Sequence, residues 1–226
     1  MLRQFSYRRN REFRMMYRSI LLAYNVSDYF CSMLKSYMHK NWIEAGCDEA
    51  GRGCLAGPVY AAAVILPKGI RLPLLDDSKK LNEHTRDKLR ELIEKKAVAW
   101  AVASCSAREI EQYNILNCSF MAMHRAIKML GTVPEHLLID GNRFKPYDII
   151  PHTTVIKGDG KYKSIAAASI LAKTHRDEYM KTLAQEHPAY GFEKHKGYGT
   201  AEHRRVIGEL GYIDCHRKTF ILKNKP

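Results

Sequence analysis

The sequence predicts an α/β domain, a mixed sheet flanked by helices, and three observations carry that prediction. Short apolar runs containing β-branched residues are gathered early, over 43–48, 59–66 and 98–105. From residue 106 onward, segments of helical periodicity alternate with two further short runs, 136–139 and 153–157. Glycine, proline and capping residues stand at the joints, so most runs have a defined start and stop. Strands gathered early and alternating with helices later are the pattern of a sheet covered by helices.

Taken in order, residues 43–48 are mostly apolar up to Asp48, and a Gly-rich connection leads to 59–66, which predicts two strands joined as a hairpin. Asn82 is a good N-cap, and Leu89, Leu92 and Ile93 share one face of a helix reaching Lys96. Residues 98–105 predict the third strand. Helical patterning resumes over 106–130 with a break near Asn114, and 136–139 and 153–157 are short strands. An Ala-rich helix runs from Ser164 to about Glu186, where Pro188 stops it, and a last helix over 200–210 ends at Gly211.

With 226 residues, 46% of them hydrophobic, and no long polar tracts or Gly/Pro repeats, one domain with an appendage is the economical organisation. Thirty-seven Lys and Arg against 24 Asp and Glu leave a net charge of +13. That excess favours a polyanionic partner, because cationic side chains displace counterions from a phosphate backbone. Charge alone does not separate nucleic-acid enzymes from ribosome-bound or membrane-surface proteins. The six cysteines show no CxxC pair, so reduced thiols and a cytoplasmic setting are expected. No stretch approaches the roughly 18 apolar residues of a membrane span, and no secretory cleavage pattern follows residues 19–26. The first forty residues hold eight basic and two acidic groups. That imbalance divides the chain into a basic, poorly ordered extension over 1–40 and a folded domain over 41–226.

The chemistry lies at strand ends. Asp48 and Glu49 stand where the first strand meets Ala50-Gly51-Arg52-Gly53, and Asp140 stands where Leu137, Leu138 and Ile139 meet Gly141. Asp159, within Lys157-Gly158-Asp159-Gly160, follows another strand. If these ends converge, three or four carboxylates form an all-oxygen pocket suited to hard Mg²⁺ or Mn²⁺, with phosphate as the remaining ligand. Singly, each has a plainer reading. Adjacent acids are ordinarily a solvated turn, Asp140-Gly141 a turn dipeptide, Arg52 a surface charge, and Ala166, Ala167 and Ala168 small residues for close helix packing. The ten histidines show no metal-ligand spacing, and His195 and His203 are expected at the surface or facing nucleic acid.

The ordered set as a whole resembles one family. Cys47-Asp48-Glu49-Ala50-Gly51-Arg52-Gly53, with Leu55-Ala56-Gly57-Pro58-Val59, resembles the signature segment of ribonuclease HII, a type 2 ribonuclease H. Asp77-Ser78-Lys79, Ile139-Asp140-Gly141, Lys157-Gly158-Asp159, the Ala-rich segment from Ser164 with Arg176-Asp177, His195-Lys196-Gly197-Tyr198 and His216-Arg217 resemble its remaining blocks, over residues 42–222. The resemblance implies the ribonuclease H-like fold, a mixed five-stranded sheet with helical C-terminal elements. It implies an endoribonuclease that hydrolyses the RNA strand of RNA/DNA hybrids and cuts 5′ to ribonucleotides embedded in DNA, leaving 3′-hydroxyl and 5′-phosphate ends with Mn²⁺ or Mg²⁺.

By the same resemblance, Asp48, Glu49 and Asp140 match the metal-binding acids and Asp159 the fourth active-site aspartate. Asp177 is a lesser candidate, since an Arg-Asp pair on a helix is usually structural. Gly51, Arg52 and Gly53 match the loop that reads the ribonucleotide, where glycines let backbone groups approach the 2′-hydroxyl. Tyr198 matches the tyrosine that packs against the sugar on the DNA side of the junction. Lys79, Lys161, Lys163 and Lys196 are expected phosphate contacts by charge and position. Ribonuclease HIII is similar but brings a sizeable N-terminal domain and lacks the Arg between the glycines, so Arg52 and the short leader favour HII. A nonenzymatic nucleic-acid binder leaves the strand-end acids unexplained, because acids in a phosphate-binding groove are costly without cations.

Residues 1–32 admit three readings: a nucleic-acid clamp, a transit peptide, or an upstream extension of the reading frame. The last is favoured, because the leader lacks the small hydroxylated residues of a transit peptide and Met33 is a natural alternative start. Phe220 is followed by no tail in which to seek a sliding-clamp peptide; a monomer with no obligate protein partner is the expectation.

Overall fold

The computed structural model describes residues 34–72, 74–75, 78 and 81–220. The leader, Asp77 and Lys79 lie outside the described residues. Five strands form one sheet in the order β3-β2-β1-β4-β5, with β1 at Glu44–Ala50, β2 at Val59–Ile65, β3 at Ala99–Cys105, β4 at His136–Asp140 and β5 at His152–Val155. β1 pairs antiparallel with β2 and β2 with β3, while β4 lies parallel to β1 and β5 parallel to β4. The sheet is therefore mixed, and β1 is its central strand.

The helices are α1 (Glu83–Lys96), α2 (Ala107–Lys128), α3 (Lys163–Glu186), α4 (Phe192–His195) and α5 (Ala201–Leu210). Asn82 caps α1, its side chain accepting from the Thr85 N–H at 2.9 Å. Ser106 and Glu109 close a reciprocal capping box at the start of α2. Asn114 breaks that helix with a φ of 65°. Among the described residues no helix is long and apolar enough to cross a membrane.

Side chains alternate across a strand, so β1 serves two cores. Ala45 and Cys47, with Leu137 and Ile139 of β4, pack under Cys118, Ala122 and Met123 of α2. On the other face, Ala62 and Val64 of β2 meet Leu89 and Ile93 of α1 and Ala167, Ala168 and Leu171 of α3. The approach of α3 is closest at Gly46, where an added Cβ would stand 2.2 Å from the Ser164 carbonyl carbon. Strand and helix touch there backbone to backbone. A further cluster of Ala56, Met180, Leu183, Phe192 and Val206 joins the end of α3 to the C-terminal helices and to the loop between β1 and β2.

The domain begins at Leu34 and not at residue 41. Lys35 N donates to Lys161 O at 2.8 Å, and Lys35 O accepts from Lys163 N at 2.9 Å. The N–H groups of Met38 and His39 donate to the Glu44 carboxylate at 2.8 and 2.7 Å. Charge counting assigned 34–40 to the extension, yet these residues are held by main-chain hydrogen bonds, which charge does not report.

Candidate active site

Cys47 of β1 lies beside Ile139 of β4 in parallel register, so the next residues, Asp48 and Asp140, stand together at the strand ends. Asp48 is buried. Burial first, and then the charges of Glu49 and Asp140, hold its carboxyl well above the usual carboxylate range, while hydrogen bonds from the Ser169 hydroxyl and the Glu49 N–H act the other way. The Glu49 N–H bond is 2.6 Å long. Ser169 and Ser78, both buried, are themselves joined through their hydroxyls at 2.9 Å. A two-hydroxyl chain thus supports Asp48 from the side of α3.

Asp140 is held from the other side. Its Oδ1 accepts from the Gly158 N–H at 2.6 Å, and a Cβ on Gly158 would lie 3.2 Å from the same oxygen. The 3₁₀ turn Gly158–Gly160, which begins at that donor, carries buried Asp159, whose Oδ1 accepts from the Gly160 N–H at 3.0 Å. Glu49 points to the opposite face of β1 from Asp48. With Arg52, Asp140, Asn142 and Arg143 it lines a cleft of about 80 Å³. Arg52 Nη1 donates to Glu49 Oε1 at 3.1 Å. The structure therefore gathers Asp48, Glu49 and Asp140, and the turn that carries Asp159 touches Asp140 through Gly158.

The loop after β1 is held by two buried arginines to which the sequence assigned no role. Gly51 has a φ of +92°, and a Cβ there would fall 2.0 Å from Arg176 Nε. Arg176 donates to the carbonyls of Pro58, Ala56 and Lys196 at 3.1, 3.2 and 2.9 Å. Arg217 donates to those of Gly57 and Arg52, both at 2.9 Å, and burial pushes its guanidinium down to about 10. The available signal was a guanidinium placed among the buried positions of an Ala-rich helix. A Cβ on Gly53 would meet open space. Tyr198, 41% exposed, bridges Cys54 across this loop, and its ring lies 5.7 Å from the Arg176 guanidinium.

The remaining expected residues divide. Lys163 Nζ donates to Ile70 O at 3.0 Å and Lys196 Nζ to Glu193 O at 2.6 Å, while Lys161 is exposed. Asp177 is paired with Lys173 at 2.5 and 2.6 Å. His203 is not at the surface. It is fully buried, stacked on half-buried His195 at 4.3 Å, with Nδ1 2.9 Å from Tyr198 O and Nε2 3.2 Å from His216 Nε2. The apolar face of α5, with Val206 and Ile207, carries it inward.

The model of the family Ribonuclease HII matches residues 45–223. The ribonuclease HII of Bacteroides thetaiotaomicron is 63% identical over 190 residues, 84% of this chain and 95% of that protein. That of Bacteroides fragilis is 64% identical over 190 residues, 84% and 94% of the two chains. Among solved structures, ribonuclease H2 from Pyrococcus horikoshii superposes with a TM-score of 0.67 at 23% identity, covering 78% of this chain and 93% of that one. A chain from the PCNA:RNase HII complex of Archaeoglobus fulgidus superposes with a TM-score of 0.65 at 28% identity, covering 81% and 98%. This chain belongs to the ribonuclease HII family, and is a hydrolytic ribonuclease H that acts on RNA/DNA hybrids with divalent metal ions.

Proposed function

We propose that the protein, besides cutting the RNA strand of hybrids, cuts 5′ to single ribonucleotides embedded in duplex DNA and leaves 3′-hydroxyl and 5′-phosphate ends. Asp48, Glu49, Asp140 and Asp159 are the residues that hold Mg²⁺ or Mn²⁺ in this reading. One observation carries it: Asp48 is buried beside two further carboxylates, a repulsion that a divalent cation relieves. Bound ions supply activation of the attacking water and stabilisation of the departing oxygen.

The chain's own residues position the rest. The Gly158 N–H fixes Asp140, and Ser169 fixes Asp48. Arg176 and Arg217 are positioning residues that hold the Gly51-Arg52-Gly53 segment still, so its backbone can meet the ribose 2′-hydroxyl without first becoming ordered. Arg52, tied to Glu49, spans the acids and that loop. Tyr198 offers its exposed ring to the sugar on the DNA side. Lys161 is the lysine best placed for phosphate, because Lys163 and Lys196 already donate to main-chain carbonyls.

The test is cleavage of duplex DNA holding one ribonucleotide, with Mg²⁺, with Mn²⁺, with EDTA, and beside an all-DNA control. A single cut on the 5′ side, dependent on metal and giving a ligatable 3′-hydroxyl, is expected. Cleavage of long hybrids with none at the single ribonucleotide sinks the proposal.

A further inference from the structure

We infer a second metal site at the opposite end of β1, in which His39, Glu44 and His136 bind one Zn²⁺ ion. The potential ligand atoms of these three residues all lie within 4.8 Å of one another. Glu44 and His136 are direct partners across the parallel strands β1 and β4, and His39 is brought over them by the turn that precedes β1. Sequence spacing could not show this, because two of the ligands meet only through strand register.

The second observation is an orphaned atom. His136 is 3% exposed, and its Nδ1 has no hydrogen-bond partner among the described residues. Its Nε2 lies 3.0 Å from the Thr153 hydroxyl, and in the tautomer that donates the Nε2 proton to that hydroxyl the Nδ1 lone pair faces Glu44 Oε1 at 3.6 Å. A lone pair opposite a carboxylate oxygen is repulsive unless a cation lies between them. The separation is too long for a hydrogen bond. It suits two ligands of one zinc, which stand about 3.3–3.5 Å apart at bond lengths near 2.0–2.1 Å.

A proton is the competing occupant, as an imidazolium beside Glu44. Nδ1 stands 3.6 Å from Glu44 Oε1, beyond the reach of the hydrogen bond such a proton would make. The Thr153 contact fixes the ring as an outer partner fixes a metal-bound histidine. Both Glu44 oxygens already accept main-chain N–H bonds, which orient the carboxylate and leave lone pairs for a metal. Half-buried His39 leaves the fourth position to water, and the Trp42 ring, 4.5 Å from His39 and 5.6 Å from His136, covers the pair. Two imidazoles with one carboxylate select zinc over Mg²⁺, so the two ends of β1 take different ions. Bound zinc ties the segment before β1 to β4 and stabilises the fold.

The full-length chain is stripped with chelator and dialysed against Zn²⁺ in millimolar Mg²⁺, which occupies the all-oxygen site. Metal content and thermal melting are then measured. Wild type and Asp140→Asn are expected to retain one zinc per chain and to melt higher with it. His39→Ala is expected to bind on the order of 10–100-fold more weakly and to lose the melting shift. His136→Ala removes a buried ring and can fail to fold, so half-buried His39 is the decisive position. Zinc that is not retained beside Mg²⁺, is retained equally by His39→Ala, or is lost in Asp140→Asn overturns the site.

Discussion

The two ends of the β1–β4 pair are made from the same parts and differ in the sign of their neighbours. Glu44 is in register with His136, and four residues further along both strands Asp48 stands beside Asp140 on the same face. About 13 Å separates the pairs at the usual strand rise. At one end the acid is met by main-chain N–H groups and an imidazole. At the other it is met by two more acids, which raise its proton affinity. Burial is common to both acids and so does not mark catalysis. An excess of like charge inside does, because only a cation from outside completes it.

The largest effect should come from breaking the acid end alone. Asp140→Asn is expected to lower hybrid cleavage on the order of 10³-fold while hybrid binding, read by fluorescence anisotropy in Ca²⁺, stays near wild type. Glu44→Gln should leave turnover near wild type. Equal losses in the two variants would erase the distinction between the ends.

Next in size is the clamp that serves the acid end only. Arg176→Met leaves three carbonyls without donors and is expected to cost about 3 kcal/mol, a fall in melting temperature of roughly 6–12 °C. Cleavage at a single ribonucleotide should fall further than cleavage of a long hybrid. A uniform loss across substrates would mean that Arg176 serves stability alone.

A smaller effect has opposite signs at the two ends. Without metal, Asp48→Asn removes a charge buried among like charges and should raise the melting temperature by roughly 2–4 °C, whereas Glu44→Gln loses the acceptor of one main-chain N–H, weakens the bond to the other and should lower it. The Asp48 carboxyl is held above its ordinary 3.8, so its contribution to stability is full below that pH and is lost as pH rises through the raised value. The gap between Asp48→Asn and wild type should therefore widen from acid toward neutral pH in chelated melts, and a gap independent of pH would contradict this.

A further effect belongs to neither end. His203 is pushed by burial from 6.5 down to about 4. Its contribution is present above 6.5 and is lost as pH falls through that window. In chelated melts the stability of wild type relative to His203→Gln should fall as pH drops between those values, and a difference independent of pH would contradict it.

How much was legible follows from what was local. Asn82 announces a helix start within four residues, and the structure has that cap. Asp48, Glu49 and Asp140 were legible because an acid directly after an apolar strand is out of place unless the strand end is used. The four-residue helix α4 was not, spanning barely one period of its own pattern and bounded by left-handed Gly191 and Lys196. Arg176 bonds carbonyls 118 and 120 residues away, and Glu44 meets His136 only through register. Neither separation leaves a trace in one dimension.

The backbone contact at Gly46 makes α3 a lever. Its fulcrum is Ser164, with Ser169 about 7.5 Å along the helix and Arg176 about 18 Å along it at 1.5 Å per residue. A tilt of roughly 5° there moves Ser169 by about 0.7 Å and Arg176 by about 1.6 Å on those arm lengths. Misplacement of about 1 Å is enough to cost roughly 10²-fold in rate. The support of Asp48 and the clamp on the Gly51-Arg52-Gly53 loop therefore share one mechanical tolerance, set by a residue that touches neither, and errors in them arrive together in the ratio of the two arms.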